Sequence, residues 1–257
     1  MKSIRVTLPT EHETIEILPL ADFHIGDMMS DWELIQRLLK RVAEVPNCYA
    51  ILGGDLMDTA IASSIGDTYA ANLQPMEQLQ MCIKLFAPIK DKIFCVLPGN
   101  HENRVYRNDG LDMTQVMCAQ LGIEKRYSST TAMLFLRCGH DEINRHKDHK
   151  LGYRIYVAHG TGGGRKEGGK IQRLVDLSEI VDADLYVCAH THLPATLKTE
   201  FFRCYKSDVQ LVTHTFVNTA SALRYGGYGD VKGYRPMSRD YPTIILGGRI
   251  KGVQVLL

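Results

Sequence analysis

The sequence has almost no charge imbalance: 30 Lys and Arg against 29 Asp and Glu leave a formal net charge of +1 over 257 residues. No global field therefore draws the molecule to nucleic acid or to a membrane, and any affinity for a polyanion has to come from a local patch. Long hydrophobic runs are also missing, since no stretch approaches the roughly 20 apolar residues of a membrane span. Only Lys2 and Arg5 precede a short alternating segment at the amino terminus, with no apolar region leading to a small-residue cleavage site. The seven cysteines, Cys48, Cys82, Cys95, Cys118, Cys138, Cys188 and Cys204, contain no Cys-x-x-Cys pair. Their odd number and their places in apolar runs argue for reduced, buried thiols rather than a disulfide framework. No linker, internal repeat or low-complexity segment interrupts the chain. What remains is an ordinary globular composition, 45% hydrophobic and 23% charged, expected to form one cytoplasmic domain over 1–257 that keeps off membranes.

What is present is a series of apolar runs that each stop at a polar residue able to bind or catalyse. The clearest is Ile93 to Leu97, read as a central strand, which breaks at Pro98-Gly99 and delivers Asn100, His101 and Glu102. Open α/β sheets place their ligands at such carboxyl ends of strands. Four other runs end alike, in Asp22-Phe23-His24, Gly53-Gly54-Asp55, His159-Gly160 and His190-Thr191-His192.

Between these ends the pattern alternates strand and helix. Ser3 to Leu8 and Thr14 to Leu20 read as strands separated by a turn at Pro9 to Glu13. Ser30-Asp31-Trp32-Glu33 reads as a capping box opening a helix that carries Ile35, Leu39 and Val42 up to Pro46. Tyr49 to Leu52 is a short buried strand, and Thr59 to Asn72 reads as a loop with some helix. Pro75 opens a second helix and Pro88 closes it. A further helix runs from about Leu111 to Leu121 with Gly122 as its cap. Thr130 to Arg137, Tyr153 to Ala158 and Leu185 to Ala189 are strands, with a glycine-rich turn at Thr161 to Gly169 and a helix around Ile171 to Leu177 between the last two. After Phe201 the pattern is short strands and turns, clearest at Val209 to Val217 and Tyr241 to Leu246. An α/β core over 1–195 with a β-rich part over 196–257 follows.

Together the strand ends supply two aspartates, one asparagine and four or five imidazoles, a mixed oxygen and nitrogen set suited to divalent ions such as Mn²⁺, Fe²⁺ and Zn²⁺. These positions are too many for one ion and suit two, which in such centres lie about 3.5 to 4 Å apart and share a carboxylate. Asp55 is the candidate for that shared carboxylate. The pair His146 and His149, in a charged turn, is more readily read as solvated than as ligands.

The ordered blocks Asp-x-His, Gly-Asp, Gly-Asn-His-Glu, a lone His and Ala-His-x-His, running from Asp22 to His192, resemble the calcineurin-like metallophosphoesterases. Ala189 stands where that family usually has glycine, a small change. The resemblance implies a four-layer α/β/β/α sandwich with two mixed sheets between helical layers. It implies one metal held by Asp22, His24, Asp55 and His192 and a second held by Asp55, Asn100, His159 and His190. The glycine-rich turn after His159 and the tail from Arg224 to Pro236 resemble members found in bacterial viruses and prophages.

The activity implied is phosphoester hydrolysis with two divalent metals. Mn²⁺ is the first choice, with Fe, Zn, Ni, Co and Mg as alternatives. A water between the metals, ionised near neutral pH, would attack phosphorus with Asp55 and Asn100 holding the ions. His101, not itself assigned to a metal, is the candidate general acid. Glu102 either orients that imidazole or caps the following helix. Asp27 and Asp58 are either partners of the ligands or plain loop acids. Arg104, and Arg165 and Lys166 with Lys170 and Arg173, can hold a phosphate or track a nucleic-acid strand, or belong to a solvated loop. Tyr225, Tyr228 and Tyr234 can stack on bases or be ordinary hairpin aromatics. A phosphodiester of single- or double-stranded nucleic acid or a nucleotide is the leading substrate. A phosphomonoesterase, and a non-catalytic scaffold of the same fold, are the rivals. A homodimer is among the expected assemblies.

Overall fold

The computed structural model describes residues 1–9, 11–60, 71–143, 149–162 and 164–257. Most of the expected loop from Thr59 to Asn72, and the stretch from His146 to Asp148, fall outside the described residues. One mixed sheet contains, in spatial order, β1 (Lys2–Thr7), β5 (Ala132–Cys138), β6 (Leu151–Val157), β7 (Leu185–Cys188), β9 (Asp208–Asn218) and β8 (Ala195–Tyr205). The other contains β11 (Val253–Leu256), β10 (Thr243–Gly247), β2 (Thr14–Leu20), β3 (Cys48–Leu52) and β4 (Ile93–Val96). β1 and β2, neighbours in sequence, belong to different sheets, so the turn between them crosses from one layer to the other.

Strand alternation decides which layer each side chain serves. Ile15 and Ile17 of β2 and Ile51 of β3 lie between the sheets with Ile155, Val187 and Ile244. Leu18, Leu20 and Leu52 turn the other way and meet Ile35, Leu39 and Val42 of α1 (Trp32–Glu44), Leu79 and Phe86 of α2 (Pro75–Phe86), and Met117. On the far side, Tyr156, Tyr186 and Phe216 cover the six-stranded sheet together with Leu174. Sheets packed face to face with helices outside each give the α/β/β/α order. Each fully buried isoleucine or leucine in these layers contributes about 1.5–3 kcal/mol.

Several local expectations change. The amino-terminal cap of α1 is Asp31, whose Oδ1 accepts from the Leu34 amide at 3.2 Å, because the Ser30 hydroxyl is already donated to the Phe23 carbonyl at 2.8 Å. Asp31 also pairs with Arg224 and Arg239, tying the carboxyl-terminal segment to this helix start. The second helix ends at Phe86, just ahead of Pro88 as expected, and the chain goes on as a tighter helical turn over Ala87–Lys92. β4 is an edge strand rather than a central one, since β10 pairs on the far side of β2 and leaves β2 and β3 in the middle. The outer side of β4 is closed by Ser128, whose amide donates to the Val96 carbonyl at 3.0 Å. The helix expected from about Leu111 to Leu121 is present as α4 (Met113–Leu121) with Gly122 as its left-handed cap, and an additional helix, α3 (Glu102–Asp109), precedes it and is ended by the left-handed Gly110.

The carboxyl-terminal strands are shared between the sheets. β8 and β9 form an eleven-residue hairpin, longer than the short strands expected, while β10 and β11 complete the other sheet. Cys204, on this hairpin, is exposed, unlike the other six cysteines. α5 (Glu167–Val175) precedes β7, and the tyrosine-rich tail contains a short helix, α6 (Gly227–Val231), not a hairpin. Among the described residues no helix is long and apolar enough to cross a membrane.

Candidate metal centre

β2, β3 and β4 run parallel in one sheet, as β6 and β7 do in the other. Their carboxyl ends carry Asp22 and His24, Asp55, Asn100 and His101, His159, and His190 and His192, and hydrogen bonds tie these ends together across both sheets. The Asp22 amide donates to Gly54 O at 3.0 Å, the His24 amide to Asp55 O at 3.0 Å, and the His190 amide to Asp22 Oδ2 at 3.0 Å. Asp22, His24, Asp55, His190 and His192 all have left-handed backbones, with φ of 53°, 48°, 49°, 66° and 55°. Such conformations cost about 1–3 kcal/mol each and persist where the surroundings over-determine them. Gly54 (φ 96°) and Gly99 permit the close approach: a Cβ on Gly99 would overlap the Asp55 carboxylate, and one on Gly54 would lie 2.8 Å from His159 Nδ1.

Potential ligand atoms fall into three groups, each within 4.8 Å: Asp22, His24 and His192; Asp55, His159 and His190; and His24, Asp58 and His101. The first two correspond to the expected metal sets. Asn100 joins the second, its Oδ1 3.1 Å from His159 Nε2. Asp55 groups with His159 and His190, and its share in the first set rests on the sequence resemblance.

The donor chemistry fits a divalent cation. His159 Nδ1 donates to Gly53 O at 2.8 Å, which turns its Nε2 lone pair toward Asn100 Oδ1 and toward Asp55 Oδ2 at 3.3 Å. Lone pairs facing one another in a buried site require a proton or a metal ion between them. Burial opposes charge on this imidazole, yet the Asp55 and Asp22 carboxylates push it up to about 10. In the other group, His24 Nε2 and His192 Nε2 face each other at 3.3 Å, and Asp22 Oδ1 is buried with no hydrogen-bond partner. Burial would raise the Asp22 carboxyl, but the neighbouring His192 and His159 hold it below its ordinary value. Oxygen and imidazole donors so arranged suit first-row divalent ions.

His101 lies at the margin of these groups. Its Nδ1 is 2.8 Å from the Asp58 carbonyl and 3.0 Å from Asp58 Oδ1, and Arg104 donates to its Nε2 at 2.9 Å. Burial disfavours its protonated form, but Asp58 and Asp55 outweigh this and raise it above the usual histidine value. Asp58 is thus the acid that orients the imidazole, while Asp27 accepts from the Met29 amide at 2.6 Å as a loop acid.

Neither role expected of Glu102 is the one observed. Its buried carboxylate accepts from the backbone amides of Asp55 at 3.1 Å, Met57 at 2.9 Å and Gly99 at 2.8 Å, joining the loops after β3 and β4. Burial and the Asp55 charge raise its carboxyl against the pull of those amides. Glu102→Gln keeps the shape but turns an amide NH₂ toward one or more N–H donors. It is expected to lower stability by about 1–3 kcal/mol for each amide left unpaired and to weaken metal retention, as urea unfolding and metal analysis of one sample would show.

Thr59 and Gln78, which no sequence motif marks, also support the site. The Thr59 hydroxyl donates to His101 O at 2.5 Å, and its amide donates to the buried Gln78 Oε1 at 2.8 Å. The one available signal was a glutamine on the apolar face of α2, one turn before Cys82. Arg165 and Lys166 make no described contact with the ligand candidates. Arg165 donates to Lys232 O at 2.9 Å and lies over the Tyr234 ring, and Lys166 is exposed. Lys170, by contrast, donates to Thr191 O at 2.9 Å, between His190 and His192.

Fold and site define an α/β sandwich with two adjoining donor sets for divalent metals at one edge of its paired sheets. The chain belongs to the calcineurin-like phosphoesterase family, whose model matches residues 20–194. Members of that family are metal-dependent phosphoester hydrolases. A solved structure from Streptococcus pneumoniae TIGR4, of a conserved uncharacterized protein described as a predicted phosphoesterase, is similar at 14% identity with a TM-score of 0.39, over 95% of this chain and 89% of that one. No curated protein matches the sequence.

Proposed function

We propose that this protein is a two-metal phosphodiesterase acting on nucleic acid or nucleotides, with Mn²⁺ as the working ion. The observation that carries the two-metal reading is the pair of adjoining donor groups, Asp22, His24 and His192 beside Asp55, Asn100, His159 and His190. Bound divalent ions supply charge neutralisation at the phosphoryl oxygens and lower the pKa of the attacking water.

The chain's own residues do the rest. Asp58 fixes His101 through Nδ1, which leaves Nε2 as the atom that donates a proton to the departing oxygen. Arg104 donates to that nitrogen and passes its hydrogen bond to a phosphoryl oxygen when substrate binds, freeing Nε2. Asn100 and Asp55 are fixed by the loops that Glu102 joins. Support for a diester with a polymeric or nucleotide leaving group comes from the segment after His159, where Arg165 lies over Tyr234 and Lys166 is exposed. Cations beside an aromatic ring suit a flanking phosphate and base.

The test is hydrolysis of bis-p-nitrophenyl phosphate beside p-nitrophenyl phosphate by metal-stripped protein titrated with Mn²⁺, then with Fe²⁺, Zn²⁺, Ni²⁺, Co²⁺ and Mg²⁺. Diester turnover that needs metal and exceeds monoester turnover is the expected result. The reverse preference makes the protein a phosphomonoesterase, and absence of both with metal bound removes the catalytic reading for these substrates.

A further inference from the structure

β8 is the outer strand of the six-stranded sheet, and among the described residues no backbone group pairs with its outer side. It runs eleven residues in unbroken antiparallel register with β9, with no proline and no bulge. The opposite edge strand, β1, has six residues. An open edge this long is a template for pairing with another strand, and native proteins cover or blunt such edges. The hairpin is also poorly covered on its faces. Phe202 is 78% exposed, and its cross-strand neighbour Leu211 is 55% exposed. Two strands with exposed apolar side chains are marginal by themselves in water.

The sequence of β8 is self-complementary about Thr199. A two-fold axis perpendicular to the sheet keeps each side chain on its own face, so a residue of one copy can lie opposite only residues of the same parity in the other. With Thr199 opposite the partner's Thr199, Lys198 meets the partner's Glu200, Leu197 meets the partner's Phe201, and Thr196 meets the partner's Phe202. Symmetry makes each of these pairs occur twice. Opposite charges, an aliphatic against an aromatic and threonine against threonine are the cross-strand pairs that stabilise sheets. Centring on Glu200 instead would set two carboxylates against each other, and centring on Lys198 two ammonium groups. Glu200 has no ion pair among the described residues, and Lys198, with three donors, uses one on Val253 O at 2.7 Å.

We propose that the protein forms a two-fold symmetric homodimer joined edge to edge through β8 in the Thr199-centred register, making one sheet continuous across two copies. The occupant of the open edge is a second copy because the strand carries both halves of the charge pairing. This register also carries the partner's hairpin tip past Ala195, where β8 leaves the loop that holds His190 and His192.

Sedimentation equilibrium on the metal-loaded full chain tests it. The wild type is expected at twice the 28.9 kDa chain mass. Glu200→Lys sets two pairs of lysines against each other and is expected to weaken the dimer roughly 10-fold or more, with circular dichroism and metal content unchanged. Lys198→Glu combined with Glu200→Lys exchanges the charges and is expected to restore the wild-type constant. A wild type that stays monomeric to about 100 µM, well above the Kd of stable complexes, overturns the proposal. A dimer that Glu200→Lys leaves unchanged, or that the double exchange does not restore, overturns it as well.

Discussion

Asp55→Asn is expected to leave the protein folded, remove metal from the His159 and His190 group, and reduce phosphoester turnover below detection. The carboxylate has two separate tasks. One oxygen accepts the His101 amide at 2.8 Å, and the other faces the His159 Nε2 lone pair at 3.3 Å. Asparagine can keep the first bond with its carbonyl and turn its NH₂ to the second, donating to His159 where the carboxylate leaves room for a cation. The metal-free variant is nevertheless expected to be less stable than the metal-free wild type, because the Asp55 carboxylate pairs with the His159 imidazole that it keeps protonated, and removing one partner of a buried pair is destabilising. The metal-loaded wild type should be the more stable of the loaded forms, since an ion that binds only the native state stabilises it by mass action. Metal content by elemental analysis and melting with and without Mn²⁺ separate these effects. Full metal content in the variant would remove Asp55 from the ligand set.

His101→Asn is expected to lower kcat by about 10² to 10⁴ while metal content stays at the wild-type level. An asparagine amide can occupy the place of imidazole Nδ1 and keep the bond to Asp58, so what disappears is the Nε2 atom that meets Arg104. If that nitrogen supplies the proton to the leaving oxygen, the loss depends on the leaving group. It should be greatest for an alkoxide leaving from a dinucleotide and much smaller for nitrophenolate, which departs without help. An equal loss on both substrates would instead assign His101 to charge stabilisation at the phosphoryl oxygens, and metal lost with the activity would assign it to the ligands.

How much of this was legible in the sequence depends on the range of the interaction. Each ligand candidate follows an apolar strand within a few residues, so Asp22, His24, Asp55, Asn100, His159, His190 and His192 could be singled out by reading short windows. The helices were found where caps and spacing were local, as at Pro75 and Gly122. Asp31 displaced Ser30 as a cap because the Ser30 hydroxyl was taken by Phe23. The role of Glu102 is not legible locally, because its three partners lie 47, 45 and 3 residues away in sequence and on two different loops. Asp58 admits both readings in the sequence, since only the fold brings it to His101.

The sequence by itself determined the alternation of strand and helix, the helical coverings and the chemical kind of the site. Those features are written in periodicities of two and 3.6 residues and in residue type, which survive without tertiary contact. The tertiary structure alone decided that β4 lies at an edge, that β1 and β2 enter different sheets, and that Glu102 joins two ligand loops while Asp58 orients His101. It also decided that, among the described residues, no backbone group pairs with the outer side of β8. Such outcomes depend on which distant backbone groups fill one another's hydrogen bonds in the packed chain, and no local window of sequence contains both partners.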